Sequence, residues 1–166
     1  MTIKNLLKSK STVILDLGGG AQPYPKSINI DIRKLPEVDI VHDLTKFPWP
    51  LPKESVDTIY AQHFLEHITR ENGTFLRLMD EAWRILKVGG QFGIVVPYGM
   101  SYYYYQDPTH VNPLVEATFY YFDPKNETKL WDIYKPKPWK IVSMTSDTNG
   151  LLIVVLEKRH ANAKKW

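Results

Sequence analysis

Val13-Ile14-Leu15-Asp16-Leu17-Gly18-Gly19-Gly20 is a short apolar run closed by an acidic residue and three glycines, and a second apolar run ends at Asp31, fifteen residues beyond Asp16. Continuous apolar runs of this length mark strands buried on both faces, as in parallel sheets. Glycines directly after such a strand let the chain turn and approach a ligand that any Cβ would block. An acidic residue closing the next strand can accept hydrogen bonds from the vicinal hydroxyls of a ribose. The two strand ends together describe a nucleotide-sized site. A glycine turn serving only chain reversal is the plainer alternative for this stretch taken alone.

Spacing separates the candidate ligands. A phosphate-binding loop needs Gly-x4-Gly-Lys-Ser/Thr, and no lysine or hydroxyl residue follows these glycines at that spacing. A dinucleotide site needs Gly-x-Gly-x-x-Gly opening a helix whose N-terminus faces a pyrophosphate. Here the frame is Gly18-x-Gly20-x-x-Pro23, and Pro23 and Pro25 leave room for about one helical turn. S-adenosylmethionine carries no phosphate; it needs a tight turn beside its methionyl part, a carboxylate for its ribose and an acceptor for its adenine amine. The chain supplies all three kinds of group.

Further along, Asn29-Ile30-Asp31, Val41-His42-Asp43-Leu44, Phe47-Pro48-Trp49-Pro50, Ser55-Val56-Asp57 and His63-Phe64-Leu65-Glu66-His67 follow in order, and Glu81 to Gly90 closes the set. This ordered series resembles the class I S-adenosylmethionine-dependent methyltransferases, over roughly Ser11 to Pro97 and again weakly at Asp107-Pro108-Thr109-His110. It is most similar to a compact subgroup with a short first helix, often associated with polysaccharide or other sugar modification. Where the family has its third glycine this chain has Gln22. The resemblance implies S-adenosyl-L-methionine as cofactor and a small-molecule or saccharide acceptor. It also implies that Asp43 accepts from the adenine amine while the Leu44 backbone pairs with a ring nitrogen, and that Gln62 and His63 line the methionyl end. A capping or turn role is the alternative for Asp43.

Composition agrees with one compact domain. The chain has 166 residues, 43% of them hydrophobic, which suits a single domain with its own core. It has no cysteine, so disulfide and thiolate chemistry are excluded. Its longest apolar runs, such as Leu151 to Leu156, fall far short of the roughly 20 residues of a membrane span, and Met1 to Lys10 has no signal-peptide pattern. A cytoplasmic location is expected. The net charge of +3 is modest, and Lys158, Arg159, Lys164 and Lys165 are expected to form a solvated basic tail over 158–166, with no nucleic-acid partner.

Periodicity predicts an α/β fold: a Rossmann-like, mostly parallel sheet with a C-terminal antiparallel hairpin strand and helices on both faces. Strands are expected near 12–17, 28–32, 38–42, 56–61 and 92–96, with a short leading helix over Ile3 to Leu7. The clearest helix spans about 72–87. Phe75, Leu76, Met79, Ala82, Trp83 and Leu86 form its apolar stripe; Arg77, Asp80, Glu81 and Arg84 lie off it, and Gly89-Gly90 is its stop. A weaker helix covers Val115 to Tyr121, and Trp139 to Thr145 and Leu151 to Glu157 form a hairpin across Asn149-Gly150.

Ligands of such sheets bind at the carboxyl ends of the strands. The expected cofactor set is Asp16, Gly18, Gly20, Asp31, Asp43, Leu44, Gln62 and His63. Residues 98–135 are the expected acceptor-site lid, with His110 as general base and Asp107 as its orienting partner or an alternative base. Tyr102 to Tyr105 can stack on a sugar face or a base; loop packing is the plainer reading of that run. Two other functions stay open. His63-x-x-Glu66-His67 matches an inverted zinc-peptidase motif in which two histidines one helical turn apart hold zinc, although methyltransferase context explains the same residues and no metal is expected. The remaining alternative is a non-catalytic S-adenosylmethionine-binding module.

Overall fold

The computed structural model describes residues 2–146 and 150–160. In chain order the elements are α1 (Ile3–Lys8), β1 (Ile14–Leu17), β2 (Ile28–Asp31), β3 (Ile40–Val41), β4 (Val56–Gln62), α2 (Thr74–Ile85), β5 (Leu86–Pro97), α3 (Tyr102–Tyr105), α4 (Glu116–Tyr120), α5 (Trp131–Tyr134), β6 (Trp139–Ser146) and β7 (Leu151–Lys158). One seven-stranded sheet runs in the order β3-β2-β1-β4-β5-β7-β6. Strands β1 to β5 are parallel, while β7 is antiparallel to both its neighbours. This is the Rossmann-like sheet with a terminal antiparallel hairpin that the alternating pattern predicts.

The central strands are apolar because both faces are covered. Leu15, Leu17, Ile28, Ile30, Ile59, Ala61, Phe92 and Val96 have no exposed surface. Each fully buried aliphatic or aromatic side chain of this kind stabilises the fold by roughly 1.5–3 kcal/mol. The chain order reverses between β1 and β4: β1 leads outward to β2 and β3, then the chain returns to the other side of β1. Such a reversal opens a crevice at the carboxyl ends of the strands.

Several local expectations change. The stripe of α2 is buried as expected at Phe75, Met79, Ala82 and Trp83, but the helix ends at Ile85, and Leu86 already pairs with Val56 as the first residue of β5. Gly89 and Gly90 therefore lie inside β5, where the register against β4 shifts; Gly89 has φ +78° and a Cβ on Gly90 would press on the carbonyl of Asp57. They serve a bulge, which needs a left-handed residue and a close backbone approach, instead of a helix stop.

Glu81, expected off the stripe, is buried. It accepts from the Trp49 amide at 2.6 Å and pairs with the Arg84 guanidinium at 2.6 and 2.8 Å. Lys158 is also a correction: as the last residue of β7 it is only 1% exposed, donating to the Leu86 carbonyl at 2.6 Å, with its ammonium 4.0 Å from the Trp83 ring centre. Arg159 pairs with Asp123 at 3.1 Å. The sequence pattern missed both because a cation sequestered by a carbonyl and a ring face reads, one-dimensionally, like any basic tail. Lys164, Lys165 and Asn149 lie outside the described residues; Gly150 has φ +82°, as a hairpin turn requires.

Candidate active site

At the end of β1 the chain turns through Gly18 and Gly20, both left-handed, with φ of +71° and +54°. A Cβ on Gly18 would collide with the Phe64 ring, and one on Gly20 with the Arg33 guanidinium, so side chains are excluded from a surface that the backbone must present bare. Asp16 lies beneath this turn. It is buried, and its Oδ2 accepts from the Tyr24 amide at 2.7 Å, which ties the loop after the glycines back to β1. Burial raises the Asp16 carboxyl above its ordinary range, and the Tyr24 hydrogen bond offsets part of that. The Asn29 amide donates to the carbonyls of Gly20 and Glu37 at 2.8 and 2.9 Å, joining the turn to β2 and the loop beyond it.

Asp31 closes β2. Its carboxylate receives four donors: the Gly20 amide at 3.1 Å and the Arg33 Nη2 at 3.3 Å on Oδ2, and the Arg33 amide at 2.8 Å and Nε at 3.1 Å on Oδ1. Burial alone would raise this acid; the hydrogen bonds and charge of Arg33, with the Gly20 amide, outweigh it and hold Asp31 below the usual carboxylate range.

After β3, Asp43 Oδ1 accepts from the Thr45 amide at 2.9 Å and hydroxyl at 2.6 Å. That hydrogen-bonded turn lowers its pKa, with the Thr45 hydroxyl as the leading cause, and Oδ2 takes no part in it. The segment is pinned from below: the Trp49 indole donates to the Leu44 carbonyl at 3.0 Å, and Glu81 of α2 holds the Trp49 amide. The Phe47-Pro48-Trp49-Pro50 stretch thus positions Asp43 and Leu44 by anchoring them to α2.

These ends surround a cleft of about 440 Å³, lined by Gly18, Asp31, Arg33, His42, Asp43, Leu44, Thr45, His63, Phe64, His67 and the aliphatic Ile32 and Ile68. Of the expected cofactor residues, Gly18, Asp31, Asp43, Leu44 and His63 come together on its walls. Asp16 and Gly20 act from behind, through Tyr24 and Asp31. Gln62 ends β4 but is exposed and not among the lining residues. Arg33 and Ile68 carried no sequence signal, and Phe64 only its place in the His63 to His67 stretch; the fold brings all three to the cleft.

A second cavity of about 290 Å³ adjoins the first, sharing His63 and His67, and is closed by Glu66, Pro97, Tyr103, Gln106, Asp107, His110 and Leu151. His110 is nearly buried, its side chain 7% exposed, and its Nδ1 lies 2.7 Å from the Tyr104 carbonyl. Its Nε2 is 3.8 Å from Asp107 Oδ2, so Tyr104, and not Asp107, fixes the ring. Asp107 Oδ1 accepts from the Thr109 amide and hydroxyl at 2.8 and 2.7 Å, and these bonds lower its pKa. Residues 63–67 form no α-helix: His63 has φ +50°, and only Leu65–His67 make a single 3-10 turn. The helical face on which a peptidase motif presents His63 and His67 is therefore missing. His63 contacts Glu66 Oε1 at 3.5 Å, and that carboxylate raises its pKa. A larger apolar groove of about 580 Å³ near Phe75, Val115 and Tyr134 shares no lining residue with these two cavities.

The methyltransferase domain family profile matches residues 19–94, somewhat under half of the chain. No curated protein matches. Among solved structures, an S-adenosylmethionine-dependent methyltransferase from Archaeoglobus fulgidus superposes with a TM-score of 0.61 at 18% identity, covering 94% of this chain and 93% of that one. A 1,6-didemethyltoxoflavin N1-methyltransferase from Burkholderia thailandensis, solved with its substrate and S-adenosylhomocysteine, gives 0.58 at 13% identity, covering 94% and 75%. The [4+2]-cyclase SpnF gives 0.58 at 12% identity, covering 95% and 80%. At these identities the structural likeness carries the fold, and the profile match carries the family signal. The chain thus has the fold of the S-adenosylmethionine-dependent methyltransferases it superposes on, and its residues 19–94 match the methyltransferase domain profile.

Proposed function

We propose that the chain transfers a methyl group from S-adenosylmethionine, bound in the 440 Å³ cleft, to a small polar acceptor, a saccharide being the first choice, held in the adjoining 290 Å³ cavity. The observation that carries this reading is the shared wall: two cavities meeting at His63 and His67 allow a cofactor and an acceptor to approach end to end. The first cleft has the groups an adenosyl ligand needs. Gly18 offers bare backbone, Asp31 a carboxylate for the ribose hydroxyls, Asp43 Oδ2 an acceptor for the adenine amine, and Leu44 a backbone N–H held in place by the Trp49 indole on its own carbonyl. Ile32 and Ile68 supply apolar surface for the base.

The sulfonium of the cofactor already activates the methyl group. The protein's share is to align the acceptor, exclude water and remove a proton where the acceptor is a hydroxyl. His110 Nδ1 donates to the Tyr104 carbonyl, which leaves Nε2 as the basic nitrogen, 3.8 Å from Asp107 Oδ2. Either group can take the acceptor proton, and Asp107, the more exposed, passes it to solvent. The exposed rings of Tyr102 and Tyr105 offer stacking surface of the kind that sugar faces use.

The test is methyl transfer from labelled cofactor across a panel of nucleotide sugars, glycans and small hydroxy acids. Once an acceptor is found, His110→Ala and Asp107→Asn should lower turnover by roughly 10²–10⁴ while cofactor affinity stays within about twofold. Full turnover in both variants would move the base elsewhere. Cofactor binding with no transfer to any class of acceptor would favour the non-catalytic module.

A further inference from the structure

The 290 Å³ cavity contains two groups, Glu66 and His67, that the proton-transfer role does not use. Glu66 has no exposed surface, and neither carboxylate oxygen has a hydrogen-bond partner; His63 Nδ1 is 3.5 Å from Oε1. A buried carboxylate left in this state is costly unless something compensates its charge. One ligand atom from each of Glu66, His67 and His110 lies within 4.8 Å of the other two.

Both imidazoles are held in the tautomer a metal requires. The Thr109 hydroxyl donates to Asp107 Oδ1 at 2.7 Å, so its oxygen receives His67 Nδ1–H at 3.1 Å. His110 Nδ1–H goes to the Tyr104 carbonyl at 2.7 Å. Each ring thereby keeps its lone pair on Nε2, anchored through the other nitrogen as metal-binding histidines usually are. The backbone fixes the grouping too: the Glu66 carbonyl accepts from the amides of Val111 and Asn112 at 2.9 and 3.0 Å, clamping the 3-10 turn after β4 to the segment that carries His110.

We propose that Glu66, His67 and His110 bind one divalent transition-metal ion, zinc or manganese in class, with Asp107 Oδ2, 3.8 Å from His110 Nε2, outside the ligand set. Two imidazoles and a carboxylate suit such ions better than magnesium. Ligands of one zinc ion sit about 2.0–2.2 Å from it and so roughly 3–4 Å from each other, a spacing that a modest inward turn of these side chains reaches. The sequence motif paired His63 with His67. The motif pointed to zinc through that pair, a reading that the methyltransferase context set aside; the fold instead brings His110, forty-three residues beyond His67, to the grouping.

The role assigned to the ion rests on the proposed function: an acceptor hydroxyl would bind it and ionise more readily. With the ion bound, His110 Nε2 is a ligand and no base, so the O–H proton goes to Asp107 Oδ2, the oxygen forms its bond to the methyl carbon as the carbon–sulfur bond breaks, and S-adenosylhomocysteine leaves as a neutral thioether.

Chelator-stripped protein titrated calorimetrically with Zn²⁺ and with Mn²⁺ tests the site, with S-adenosylhomocysteine titrated in parallel. The expected result is one ion per chain in the micromolar range or below. His110→Asn should weaken it by at least about tenfold, as should Glu66→Gln, while His110→Asn retains S-adenosylhomocysteine binding. His110→Asn decides the matter if the buried Glu66→Gln fails to fold. Wild type that takes up no ion below the millimolar range, or variants that bind as wild type does, would overturn the site whatever the cofactor does. Ion binding lost in His110→Asn, in a protein that binds no S-adenosylhomocysteine, would uphold the metal site and overturn the functional reading instead.

Discussion

The four donors on Asp31 set up a competition that can be measured. A carboxylate has about four lone-pair sites, and here the Gly20 amide, the Arg33 amide, Arg33 Nε and Arg33 Nη2 occupy them. A ribose diol brings two new donors. The backbone amides are fixed by the strand end, so the Arg33 side chain, 61% exposed, is the partner that gives way. The solvent-exposed guanidinium holds Asp31 only weakly after screening, so Arg33→Ala should tighten S-adenosylhomocysteine by up to about fivefold. Asp31→Ala removes a charged acceptor worth roughly 1.5–3 kcal/mol and should weaken binding by about 10- to 150-fold. In the Asp31→Ala background the Arg33 substitution should do almost nothing, within about 0.5 kcal/mol. Calorimetry on the four proteins completes the cycle. If Arg33→Ala weakens binding as much as Asp31→Ala, Arg33 is itself a ligand contact and the competition argument is wrong; if Asp31→Ala binds as wild type does, the carboxylate is not in the site.

Three further outcomes follow from the geometry. Gly18→Ala should lose roughly 1–2 kcal/mol of stability from its left-handed backbone alone, with the Phe64 collision added, and should weaken cofactor binding; urea unfolding and calorimetry read the two effects, and an unchanged midpoint would contradict the strain. Glu81→Ala frees the Trp49 amide and the Arg84 side chain, so it should cost about 1–3 kcal/mol and weaken the cofactor through Leu44, although Glu81 lines no part of the cleft; stability loss at unchanged affinity would break that link. Asp57 gives the pH dependence: burial raises its pKa, but the Lys87 ammonium at 2.7 Å and the Val13 amide at 2.8 Å bring it below its ordinary value. As pH falls the unfolded chain takes up this proton first. The stabilisation is therefore complete above about pH 4 and disappears as pH drops through the lower folded value. Urea midpoints between pH 3 and 7 should fall less steeply in Asp57→Asn than in wild type, and parallel curves would refute the assignment.

The sheet was legible because its strands are continuous apolar runs with glycine or acidic residues at their ends. The same pattern placed Gly18, Asp31, Asp43 and His63 on one edge together with Gln62, which does not line the cleft, while Leu44 came from the family resemblance. Legibility stopped where a residue's role depends on a distant partner. Glu81 reads as a surface acid until Trp49 packs against it, and Lys158 as tail until Leu86 and Trp83 enclose it. Gly89 and Gly90 look the same whether they end a helix or make a bulge; the pairing of Leu86 with Val56 decides. His110 was placed in the acceptor region from its local motif, but its approach to His67, with ring centres 4.8 Å apart, arises only when the segment after β5 folds over the end of β4.

Titration of the wild-type protein with S-adenosylhomocysteine, with NADH as the control ligand, tests the central claim most directly. One S-adenosylhomocysteine per chain should bind and NADH should not, because the turn at Gly18 and Gly20 is followed by no helix that could hold a diphosphate. A folded protein that binds NADH and neither S-adenosylmethionine nor S-adenosylhomocysteine would contradict the account.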